Sequence, residues 1–157
     1  METNLNITPA DEISTTTGES VIEQAPTSSL PENYLTNGYY ATTANGATYL
    51  RPEFVSSDAK AIASDLSAMK PSDFNGLLKE VKKSRKRSLP FEARQTAIAE
   101  MLPKSLALVN RKKAPDLLVS FVEANLAAVH NDNDFSAFVR HVDCIAAYMM
   151  AQKGGDA

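Results

Sequence analysis

The sequence predicts an all-α protein: a compact five-helix bundle, preceded by a disordered acidic N-terminal tail and a lead-in with room for a short β-hairpin. Three observations carry this expectation. Apolar residues recur at helical spacing from about residue 56 to residue 155, in stretches separated by Pro, Gly and a polar Asn-Asp loop. Residues 1 to 33 follow no helical or strand period and are rich in Thr, Ser, Glu and Pro, so they bury too little apolar surface to offset their ordering entropy. A chain of 157 residues has room for one such core and not for two. The expected division is a tail over 1–33, a hairpin or extended lead-in over 34–55, and a helical bundle over 56–155.

In the lead-in, Tyr39, Tyr40, Thr42 and Thr43, then Thr48 and Tyr49, flank Asn45-Gly46, a pair suited to a type I′ turn. A two-stranded hairpin is marginal in water, so its tyrosines must pack on the helical body. The first helix carries Ala59, Ile62, Ala63, Leu66 and Met69, with Ser56 or Ser57 as cap and Pro71 as stop. Ser72 is expected to cap the second, whose Phe74, Leu77, Leu78 and Val81 share one face of a helix continuing to Arg87. The third begins near Pro90 and carries Phe91, Ile98, Met101, Leu102, Leu106 and Val109, with Pro103 expected to kink or split it. In the fourth, after Pro115, Leu117, Leu118, Phe121, Val122, Leu126 and Val129 cover more than half the circumference, which marks the most buried helix. The fifth follows the loop His130-Asn131-Asp132-Asn133, runs from about Asp134 to Lys153, and is expected to end at Gly154-Gly155.

Charge is strongly segregated. Residues 1 to 50 hold six acidic residues and no Lys or Arg, so all 16 basic residues lie beyond Leu50. Between Lys79 and Lys113 eleven bases face three acids, a local excess that the net charge of −3 conceals. Lys79, Lys82, Lys83 and Lys86 project opposite the apolar stripe of the second helix, Arg85 lies under that stripe and is expected to snorkel outward, Arg87 follows, and Arg111, Lys112 and Lys113 extend the track. Such a face is either solvated or set against a phosphate backbone. It lacks the mixed Asn, Gln, Ser and Arg surface that reads base edges.

Catalytic and metal chemistry find little support. Cys144 is the single cysteine, and with only His130 and His141 it makes no zinc ligand set. Cys144 and His141 stand three apart on one helix with no third group to orient the imidazole, so both read as packing or surface residues. No Gly-rich phosphate loop occurs, and neither an enzyme nor a cofactor is expected. Without a leader pattern or a long apolar run, the expected location is the cytoplasm, with no membrane contact. The fifth helix carries a second stripe of Ala137, Arg140, Cys144, Ala147, Tyr148 and Ala151, small and mostly uncharged, which suggests contact with another chain.

Several short motifs, taken in order, resemble the small subunit of type III-A CRISPR effector (Csm) complexes. They are Tyr49-Leu50-Arg51-Pro52-Glu53-Phe54-Val55, the helix Ser72 to Lys83, Arg111 after an apolar helix, and Phe138 followed by Asp143-Cys144-Ile145-Ala146-Ala147-Tyr148 with Gly154-Gly155 beyond. The likeness covers roughly residues 49 to 155. Asn75 stands where members often carry Arg, and Met149 and Met150 replace the aromatics that often follow the Ala-Tyr pair. The resemblance implies a non-catalytic subunit stacked in several copies along the guide RNA–target RNA duplex. Its partners would be the backbone subunits, the large polymerase-like subunit and other copies of itself. Two other readings stay open on the residues alone: a stand-alone helical nucleic-acid-binding protein, and a structural adaptor whose basic face binds an acidic protein.

Overall fold

The computed structural model describes residues 29–86 and 88–156. The chain forms an antiparallel hairpin of β1 (Tyr40–Thr42) and β2 (Thr48–Leu50), a 3-10 turn (Pro52–Val55), and five helices. These are α1 (Ser57–Asp65), α2 (Pro71–Lys83), α3 (Phe91–Asn110), α4 (Leu117–Ala128) and α5 (Asp132–Asp156). Helix α5 packs along α1, α2 and the 3-10 turn, while α3 packs on α4 and on α2. The apolar stripes converge on one core that includes Ile62, Phe74, Ile98, Phe121, Phe138 and Ile145. In α4 only Ser120, Glu123 and Ala127 are exposed, in keeping with its broad apolar surface.

Most of the expected tail, residues 1–28, lies outside the described residues. Its last few residues belong to the folded body: Leu30 packs against the core, and the backbone turns through Asn33 and Leu35 in left-handed conformation. The hairpin is present but its turn is not type I′, which would need positive φ at both Asn45 and Gly46. Only Gly46 is left-handed, at φ 90, with its N–H on the Thr43 carbonyl. The Thr43 and Asn45 side chains instead accept from the Ala47 N–H, which favours a wider loop closed by a glycine bulge.

Several helix ends differ from the sequence reading. Ser56 occupies the cap position of α1, yet its hydroxyl donates to the Pro52 carbonyl. In α2 Pro71 is the first helical residue after Lys70, because its fixed φ suits a first turn, so Ser72 lies inside the helix. Likewise Pro90 precedes α3, whose first residue is Phe91. Pro103 does not split α3: the carbonyl deprived of its partner belongs to Ala99, and both residues face water. Leu106 on the same helix is 47% exposed and lies off the core. At α5 the Asn131 side chain accepts from the Asp134 N–H while Asp134 accepts from the His130 N–H, a reciprocal cap. The helix continues through Gly154 and Gly155, since glycine tolerates helical φ at a cost of only about 1 kcal/mol against Ala.

Candidate nucleic-acid interface

Helix α2 buries Phe74, Leu77, Leu78 and Val81 and turns Lys79, Lys82 and Lys83 outward. The helix stops at Lys83, short of the expected Arg87, and the reason lies on α3. Arg94, only 8% exposed, donates from Nε to the Ser84 carbonyl at 2.9 Å and from one terminal nitrogen to the Lys86 carbonyl at 2.8 Å. Its other terminal nitrogen meets Asp132 at 2.7 Å, and its guanidinium lies 5.7 Å from the centre of the Phe135 ring. One cation thus binds the cap carbonyl of α2 and a carbonyl of the loop after it, and ties both to the start of α5. Arg85 and Lys86 are exposed on this loop, so Lys86 is not on the helical lysine face. Arg87 lies outside the described residues.

Two of the lysines have partners. Lys82 reaches across to Asp143 of α5 at 2.7 Å, and Lys83 pairs with Glu80 at 3.4 Å within α2. All four side chains are well exposed, so each pair contributes little stability and leaves the cations open to exchange for another anion. Arg111, Lys112 and Lys113 are exposed in the turn after α3, with Lys112 in left-handed conformation. They do not continue the α2 track at its C-terminal end. Arg94 binds that end, and the sixteen residue-to-residue rises from Arg94 to Asn110 span about 24 Å of helix.

The expected contact stripe on α5 divides. Ala137 is fully buried in the core and is unavailable to another chain. Nearby the hairpin sits on the helix, with the Tyr40 hydroxyl donating to the Asn133 carbonyl at 2.7 Å. Further along, Cys144 and Tyr148 are half-buried, while Arg140, Ala147, Met150 and Ala151 are exposed.

Sequence reasoning missed a second polar constellation, inside the core. His141 is fully buried, with Nδ1 2.6 Å from the Phe54 carbonyl and Nε2 2.6 Å from the Tyr34 hydroxyl. A carbonyl only accepts, so Nδ1 carries the proton and Nε2 accepts from Tyr34. The Asn125 amide donates to the Tyr34 oxygen at 3.0 Å and to the Phe121 carbonyl at 2.8 Å, and it accepts from the Tyr39 hydroxyl at 2.7 Å. Every polar group in the chain of bonds is paired when His141 is neutral. Burial drives its pKa down to about 4, against the opposing effect of the Phe54 bond, and pushes both tyrosines upward. The available signal was Asn125 itself, an amide on the apolar stripe of α4. Arg94 was signalled likewise by its place four residues before buried Ile98.

Among the described residues no helix is long and apolar enough to cross a membrane, and no three His, Cys, Asp or Glu side chains gather as a metal site. No protein-family model, curated protein or solved structure matches the chain.

Proposed function

We propose that this chain is a non-catalytic, sequence-independent RNA-binding subunit acting in the cytoplasm, of the kind the small subunit of a type III-A CRISPR (Csm) effector complex represents. The observation that carries the reading is the exposed group Lys79, Lys82, Lys83, Arg85 and Lys86 around the end of α2. Flexible lysine ammoniums bind phosphates as point charges without reading bases, which suits a complex whose specificity lies in guide pairing. The exposed end of α5, around Ala147 and Ala151, would serve contact with backbone subunits, the large subunit or another copy. A head-to-tail filament needs such a second surface.

Salt-dependent binding tests the reading. Changing Lys79, Lys82, Lys83 and Lys86 to Ala is expected to lower the slope of log affinity against log salt by roughly 2, equally for all RNA sequences. A loss that depends on sequence, or no loss, overturns it. Purification from the native host with identification of bound chains and RNA tests the assembly itself.

A further inference from the structure

A cleft of about 920 Å³ opens between the α2–α3 loop, the first turn of α3 and the outer side of α5. Its wall is apolar where Phe91, Phe135 and Val139 line it, with Phe91 half-buried and its neighbours buried. Its charged lining is unequal. Asp132 is paired with the buried Arg94, and Asp143 with Lys82 in an exposed pair, each at 2.7 Å. Arg85 and Arg140 also line the cleft, are exposed, and have no carboxylate partner among the described residues. Two guanidiniums without a carboxylate partner among the described residues thus share the cleft with an aromatic and aliphatic wall.

A simple anion would use the arginines and leave the wall wet. A purely apolar ligand would do the reverse. A planar ring carrying phosphate uses both, because guanidinium presents a bidentate fork to phosphate and an aromatic face stacks any base. The cleft also continues the lysine face of α2, since Lys82 meets Asp143 at its edge. A strand whose phosphates lie on Lys79 passes beside it, with Lys82 left on Asp143. We infer that this cleft holds an unstacked nucleotide of single-stranded RNA, its base against Phe91 and Val139 and its flanking phosphates on Arg85 and Arg140. The inference rests on the reading of α2 as an RNA-binding face and adds the class of ligand: an unpaired nucleotide in place of duplex backbone alone.

The test uses the full chain and fluorescence anisotropy with labelled ten-residue oligo(U), the same strand paired to its complement, and oligo(dT). R140Q, at the cleft arginine that lies outside the α2 group, is expected to weaken oligo(U) about fivefold and the duplex less than twofold, whereas the Lys79, Lys82 and Lys83 triple alanine variant weakens both alike. Phe91→Leu, which keeps an apolar side chain and removes the stacking face, is expected to weaken oligo(U) and spare the duplex. Equal losses on both ligands, or none, overturn the inference and leave the RNA-binding face standing. Equal affinity for oligo(dT) overturns the assignment to RNA. Displacement of oligo(U) by an Asp-Phe peptide at lower concentration than by uridine monophosphate would make the occupant a protein and overturn it as well. If the wild-type chain binds no oligomer at low salt, the RNA reading fails by itself. Uridine monophosphate shifting the NMR signals of Phe91 and Val139 would then keep the cleft as a nucleotide site, and unshifted signals would remove it.

Discussion

The surface around the end of α2 and the interior around His141 both concentrate polar groups, and they obey opposite rules. At the surface Lys79, Lys82 and Lys83 are solvated, their ion pairs are loose, and like charges are tolerated because water and salt screen them. In the interior Tyr34, Tyr39, Asn125 and His141 have only one another and two backbone carbonyls. Each of those groups needs its partner, because an unpaired buried group loses its bond to water without replacement. The contrast separates residues available for binding from residues that determine whether the lead-in stays on the bundle. Arg94 stands between the two, a cation buried like the interior groups but serving the surface loop.

The largest effect on stability is expected at Asn125. Asn125→Leu keeps the volume and orphans the Tyr39 hydroxyl in the core, so a loss of about 3 kcal/mol is expected, read as a fall in melting temperature on the order of 10 °C. Acid acts on the same network through His141. Its imidazole titrates near 4 in the folded chain against 6.5 when unfolded, so between those values the unfolded chain binds the extra proton. The stability it contributes is fully present above pH 6.5 and is lost as pH falls toward 4, on the order of 3 kcal/mol. Urea melts across that window measure it, and His141→Gln is expected to flatten the dependence while lowering stability at neutral pH.

Arg94→Lys keeps the charge but loses the fork that binds two carbonyls and a carboxylate. A cost of about 2 kcal/mol is expected in thermal melts, with faster amide exchange in residues 84–86. At the surface the effect on stability should nearly vanish. Asp143→Asn frees Lys82, changes stability by less than about 0.5 kcal/mol, and is expected to raise RNA affinity at low salt. Ala147→Glu, on an exposed position, is expected to leave the melt unchanged while blocking incorporation into a multi-subunit complex. A large fall in its melting temperature would show that Ala147 is covered within the chain.

The five helices, their order and the charge segregation were legible in the amino-acid order, because amphipathic period and helix punctuation are local properties readable within a turn or two. It also marked the α2 lysines as outward-facing, since their position follows from the same period as Leu77 and Val81. Where Arg94 goes, and with it where α2 ends, depends on how α2, α3 and α5 pack together. That packing also seats Tyr34 on His141 across 107 residues and Tyr39 on Asn125 across 86. Ala137 shows the difference on one helix: small and uncharged like Ala147, it is buried in the core, and Ala147 is open. The cleft likewise joins Arg85 to Arg140 from separate elements. Pairings at such separations depend on how helices pack together, and no periodicity within a single segment encodes them.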